Sequence, residues 1–167
     1  MKERFCIWLK ENIDGFYVDY SIDVLDQRYT LEEATLMVNG KDITEGNYVM
    51  FARTVQYLPD YKAAYLPVRA VLEALGVEVT WDAARNVTLL TFADKKYLLD
   101  YKNISLIDEA TSQELLVFPD GSYDTYHARC VDNRIIMDHP TLQAVIDRLG
   151  IEATITLDRE TLSVDIH

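Results

Sequence analysis

Positive charge is what this chain lacks most: 16 Lys and Arg stand against 28 Asp and Glu, a formal net charge of −12 with three histidines neutral. A general DNA or RNA binder needs basic residues to release counterions from phosphate, which argues against direct nucleic-acid binding. Glycine is scarce as well, six residues with none clustered, so no glycine-rich loop is available to cradle a nucleotide. A copper or zinc site needs three or four convergent His, Cys or carboxylate ligands. His127 and Cys130 stand three apart, as on one helical face, but no second pair completes a site, and His139 and His167 lie elsewhere. No metal or other cofactor is expected. As a nucleophile and base, Cys130 and His127 would still lack an orienting third group and an oxyanion site, so no enzymatic activity is expected. No run approaches the roughly 18 apolar residues of a membrane span. The apolar stretch Phe5 to Leu9 is shorter than the roughly 7 to 15 residues of a secretory signal. With Met1 as the natural start the expected location is cytoplasmic; with a signal peptide already removed it is extracellular. Cys6 and Cys130 share no motif, and two reduced, packed thiols are expected, one long-range disulfide being the alternative.

What is present is 49% apolar residues in 167, enough for a sizeable core in one domain or two small ones, and an internal repeat. Val68, Val71, Leu72 and Leu75 fall at i, i+3, i+4 and i+7, as do Leu142, Val145, Ile146 and Leu149, so each set marks a one-sided helix of about two to three turns. Pro67 and Pro140 suit first turns, where the missing amide costs nothing; Gly76 and Gly150 suit left-handed caps. After each glycine the period shifts to two: Val77, Val79, Trp81 in one copy and Ile151, Ala153, Ile155 in the other. Polar clusters and second alternating runs, Val87 to Phe92 and Leu162 to Ile166, complete two hairpins. Gly76/Gly150, Glu78/Glu152, Thr80/Thr154 and Arg85/Arg159 coincide without a gap, and one extra residue in the second turn aligns Val87 with Leu162. Upstream, Phe16 to Val24 alternates as a strand with one wet face. Asn39-Gly40 marks a two-residue hairpin turn. Val49, Phe51, Arg53, Val55 and Tyr57 alternate towards the first helix, Lys96 to Ile107 reads as strands, and Pro119 to Ser122 as a turn. The expected fold is α+β, a duplicated unit of short helix plus β-hairpin with additional N-terminal antiparallel strands. Its parts are an N-terminal strand extension (1–34), a first unit (35–107) and a second, diverged unit (108–167) packed on the first.

The run from Leu66 to Asp82, with Pro67-Val68-Arg69, Glu73-Ala74-Leu75-Gly76 and Trp81-Asp82 in order, resembles the copper amine oxidase N-terminal domain-like family, or stalk domains. The likeness extends to Val38-Asn39-Gly40-Lys41 and to Asn86-Val87-Thr88; it covers residues 35–107 well and 108–167 weakly. It implies a small α+β module, often duplicated and usually carried by secreted bacterial surface proteins, and no amine oxidation, because the copper and quinone chemistry of the namesake enzymes sits in another domain. The second unit departs from the pattern, with Gln143 where the first has Arg69 and no Trp-Asp pair. A partly buried Arg69–Asp82 ion pair and an inward, core Trp81 are expected of the scaffold.

The acidic face is the main candidate for function. Asp14, Asp19, Asp23, Asp26, Glu32 and Glu33 face only Arg28 across this stretch. Asp19 and Asp23, four apart on a strand, share one side at about 13 Å, a rough multiple of the phosphate repeat of a nucleic-acid strand. Asp94, Asp100, Asp108, Glu109 and Glu114 carry the negative surface onward. A solvated, solubilising face is the plainer account of such charge. Of eleven tyrosines, Tyr57, Tyr61 and Tyr65 are four apart and suit either a protein interface or packing over a sheet edge. The expected function is a non-catalytic protein-interaction module: an acidic surface that binds a basic protein, in the manner of a phage-type inhibitor or DNA mimic acting on a nucleic-acid-binding enzyme. The alternative is a cell-surface stalk module that binds wall polymer or spaces other domains. The partner-binding candidates are Asp14, Asp19, Asp23, Asp26, Glu32, Glu33, Tyr57 and Tyr61.

Overall fold

The computed structural model describes residues 29–30, 34–47, 49–52, 64–117, 127–131 and 133–167. The expected strand at Phe16 to Val24, the turn at Pro119 to Ser122 and the alternation beyond Ala52 lie outside the described residues. In chain order the elements are β1 (Tyr29–Thr30), β2 (Thr35–Val38), β3 (Lys41–Asp42), β4 (Met50–Ala52), β5 (Ala64–Pro67), α1 (Val68–Ala74), β6 (Glu78–Asp82), β7 (Val87–Phe92), β8 (Lys95–Asp100), β9 (Ser105–Asp108), β10 (Glu114–Val117), β11 (Ala128–Val131), β12 (Arg134–Asp138), α2 (His139–Leu149), β13 (Ile155–Asp158) and β14 (Ser163–Ile166). Strands and helices mix in an α+β class, as expected.

Three sheets share the strands: β1-β4-β5-β12-β11, the meander β10-β9-β8-β7-β6, and β13-β14-β2-β3. All pairs are antiparallel except β14 with β2. The central pair, β5 with β12, sets Leu66 against Met137 and Tyr65 against Asp138. Each of these strands runs straight into a helix, and Val71 and Leu72 of α1 join Leu142, Val145 and Ile146 of α2, with Leu90, Leu99, Val164 and Ile166 from the sheets, in one interior. Asn39 and Gly40 both take positive φ between β2 and β3, which is why that dipeptide was so legible.

The two helices end alike. Gly76 N–H donates to Glu73 O and Val77 N–H to Leu72 O; Gly150 N–H donates to Asp147 O and Ile151 N–H to Ile146 O. Both are left-handed caps closed by a six-to-one bond, with a glycine where a Cβ would be strained. Leu149 is buried within α2, whereas Leu75, expected at the matching place, is the C-cap just past the shorter α1 and is half-buried. The hairpins are aligned differently from the sequence expectation. Asp82 pairs with Val87 and Asp158 with Ser163, and the positive-φ residues before the second strands are Asn86 and Leu162. Thus Val87 corresponds to Ser163 rather than Leu162, Thr88 to Val164 and Trp81 to Leu157. The additional length lies in the stretch leading into β13 and not in the turn. Gln143, in the place of Arg69, holds that longer stretch by donating to Ala153 O and accepting from Ile155 N–H, each at 2.8 Å.

Asp138, 1% exposed, closes the start of α2. Its Oδ1 accepts from Thr141 N–H at 3.1 Å and its Oδ2 lies 2.9 Å from His127 Nδ1. The adjacent His139 uses Nδ1 to accept from Ala64 N–H at 3.2 Å, tying α2 to β5. Burial holds its imidazole below the ordinary value; Asp138 pulls it up and Arg159 pushes it further down. An imidazolium could not accept that amide hydrogen. The unfolded chain therefore binds the proton first, so stability is complete above about pH 6.5 and falls as the pH drops below that value. Urea midpoints measured from pH 7.5 to 5 are expected to fall more steeply for the native chain than for His139→Gln, in which this contribution is missing.

Candidate functional site

The first hairpin and its helix enclose a groove of about 560 Å³, within the roughly 300 to 1,000 Å³ of small-molecule sites. Its residues follow from strand register. Trp81 stands directly opposite Thr88 and Val79 opposite Leu90 on β6 and β7, while Thr88 opposes Leu99 and Leu90 opposes Tyr97 on β7 and β8. Directly opposed side chains share a face, so Trp81, Thr88, Val79, Leu90 and Leu99 all line the face turned to the helix. At 1.5 Å per residue the seven-residue α1 is only about 10 Å long, too short to roof a strand of five. Trp81 is therefore on the inward face, as expected, yet 45% exposed instead of core, and it is the large apolar residue left in solvent among the described residues. Arg69, Ala70 and Glu73 of α1 form one wall. Asn86 and Tyr101 close the hairpin end, and Cys130, Asn133, Arg134 and Ile135 of the β11–β12 hairpin form the far wall.

Thr88 is the anomaly of the floor. It is 3% exposed, and its Oγ1 is buried with no hydrogen-bond partner. Nearly all buried polar atoms find one, and the corresponding residue of the second hairpin, Val164, is apolar and fully buried. Arg69 and Glu73 approach only to 4.0 Å with both side chains more than half exposed, a contact of small energetic weight. The Arg134 guanidinium donates to Gly46 O. Tyr101 is half-buried, and burial, followed by the Cys130 thiol beside it, raises its phenol above the ordinary value, keeping it protonated.

Several sequence expectations are corrected here. Arg69 does not pair with Asp82, which is the first residue of a turn whose fourth, Arg85, reaches back to it at 2.6 Å; Arg85 also meets Glu109 at 2.7 Å. His127 and Cys130 share no helical face, because Cys130 lies on β11 and His127 immediately precedes it. Residues three apart along a strand point to opposite sides, so His127 meets Asp138 while Cys130 lines the groove, an exposed free thiol instead of a packed one. Of the two readings open for Tyr65, packing is the one that applies, since it is buried on β5. Asp14, Asp19, Asp23, Asp26, Glu32, Glu33, Tyr57, Tyr61 and Cys6 lie outside the described residues.

Four of the described aspartates head turns of one kind. Asp82 Oδ1 accepts from Ala84 and Arg85 N–H, Asp100 from Lys102 and Asn103, Asp108 from Ala110 and Thr111, and Asp158 from Glu160 and Thr161. In each case the fifth residue (Asn86, Ile104, Ser112, Leu162) is left-handed. Arg85 holds the Asp82 carboxyl below the ordinary range; turn amides and hydroxyls do the same for Asp108 at Thr111, Asp158 at Thr161 and Asp42 at Thr44. Thr88, Asn86, Tyr101 and Asn133 escaped sequence reasoning, since only strand pairing and the β11–β12 turn bring them together.

No family model, curated protein or solved structure matches the chain.

The orphaned hydroxyl has a stability consequence. Thr88→Val removes a desolvated polar atom while keeping the shape, and is expected to raise the unfolding free energy by about 1 kcal/mol, read as a higher urea midpoint with an unchanged slope.

Proposed function

We propose that this protein is a non-catalytic protein-interaction module, a duplicated stalk-type scaffold whose acidic surface binds a basic protein of the kind that itself binds nucleic acid, as a phage-type inhibitor or DNA mimic would. The observation that carries this reading is the geometry of the turn carboxylates. Asp42, Asp82, Asp108 and Asp158 sit at surface turns, each fixed in place by the backbone amides that donate to its Oδ1. Charges held in place by the backbone lose little side-chain freedom when a partner arrives, and a net charge of −12 steers a basic partner to them.

The duplication rests on the helix ends and the central strand pair more than on the hairpin turns. The same Asp-initiated turn also occurs at Asp100 and Asp108, outside either hairpin, so it is a local solution this chain reuses. The matching caps at Gly76 and Gly150, and the antiparallel pairing of β5 with β12, each leading into a helix, support the duplication.

The reading is tested with a purified basic DNA-binding protein immobilised on beads. Capture of this chain is expected to fall at least about tenfold between 50 mM and 0.5 M salt, as screening shortens the reach of surface charge. The double reversal Asp19→Lys with Asp23→Lys is expected to weaken capture at low salt by a similar factor while the urea midpoint stays put. Capture that does not fall with salt would reject the acidic interface, and unchanged capture by the folded double variant would remove Asp19 and Asp23 from it. Retention on isolated wall material through high salt would favour the stalk-module alternative.

A further inference from the structure

We infer that the groove beside Trp81 binds an acidic sugar, a pyranose ring bearing a carboxylate. The proposal stands apart from the acidic-surface reading, because the charged lining of the groove is Arg69 and Arg134 against Glu73 alone. Three residues of the groove depart from their counterparts in the second hairpin and helix, and all three depart in the direction a ligand needs. Trp81 stands where the second unit has half-buried Leu157, Thr88 where it has buried Val164, and Arg69 where Gln143 is consumed by the loop that it clamps.

Each departure is costly or idle for the fold alone. An indole 45% exposed leaves apolar area in water, and a Thr88 hydroxyl with no partner at 3% exposure forfeits a hydrogen bond. Arg69 has only a loose 4.0 Å contact. A sugar ring answers all three together. Its C–H face lies against an aromatic ring as other apolar groups do; its hydroxyls donate and accept at once, which suits the Thr88 hydroxyl and the exposed amides of Asn86 and Asn133. Its carboxylate takes the guanidinium of Arg69, with Arg134 on the facing wall. The net charge of −12 opposes an anion only weakly at contact range, since distant charges are screened beyond about 8 Å at physiological salt.

The test is calorimetric titration of the full chain with tri-galacturonate, with a neutral galactose trimer and tri-glutamate as comparisons. Tri-galacturonate is expected to bind at least about tenfold tighter than either. Trp81→Ala is expected to abolish the heat, Arg69→Gln to erase the preference for the acidic over the neutral sugar, and Thr88→Val to weaken binding several-fold in a protein whose urea midpoint has risen. That last pairing separates a ligand role from a structural one, because a threonine that merely fills the core would give greater stability with unchanged affinity. Should Trp81→Ala not fold, the Thr88→Val and Arg69→Gln results decide the matter. No measurable binding of tri-galacturonate, equal or tighter binding of tri-glutamate, or affinity unaltered by these substitutions would overturn the proposal.

Discussion

The pairing of β5 with β12 is the constraint on which the rest depends. Leu66 against Met137 is a fully buried contact between strands that each lead directly into a helix, so this register decides where both helices start. From there α1 and α2 send their apolar stripes into a common interior, and the hairpins that follow close around it. The polar cluster at the seam reinforces the pairing: Asp138 caps α2 and meets His127, while His139 receives the Ala64 amide across the same boundary. Buried polar groups that are all bonded favour one arrangement over near alternatives, because any slip would leave them stranded.

Periodicity and punctuation were legible in the sequence wherever the cause of structure was local. The stripes of both helices, apart from Leu75 at the cap of α1, the glycines that follow them and the Asn39-Gly40 turn depend on residues a few positions apart, and the structure has them in place. What escaped was anything set by length across space. Trp81 alternates correctly with Val79, and nothing nearby in the chain reveals that a seven-residue helix cannot cover both. The misplaced turn alignment has a similar origin. Arg85 and Arg159 matched by letter, but the turn is defined by the carboxylate at Asp82 and Asp158 and by the left-handed residue four positions on, which is Leu162 in the second hairpin, a side chain seldom seen there.

The turn carboxylates change how the acidity of the chain is read. An aspartate at the head of a tight turn is needed by the backbone, which has two amides to satisfy, so part of the negative charge has a folding role whether or not a partner exists. That role and a binding role do not compete. One oxygen accepts the turn amides, and the other can still meet a cation, as Oδ2 of Asp82 does with Arg85 of the same turn.

Thr88 and Val164 pose the sharpest contrast within the molecule. Both are buried at the second position of the returning hairpin strand, both are β-branched, and they differ by one hydroxyl that the interior does not use. Valine would serve the sheet at least as well, as its use in the second hairpin demonstrates. Next to Thr88 the roof is short and the wall carries Arg69, whereas next to Val164 the equivalent helix position, Gln143, is locked to Ala153 and Ile155. A polar atom without a partner thus sits in the unit that is open and not in the one that is closed. Isolated, it would be a packing oddity; beside an exposed indole and a loosely held guanidinium it marks the half of the scaffold whose local inconsistencies converge on one cavity.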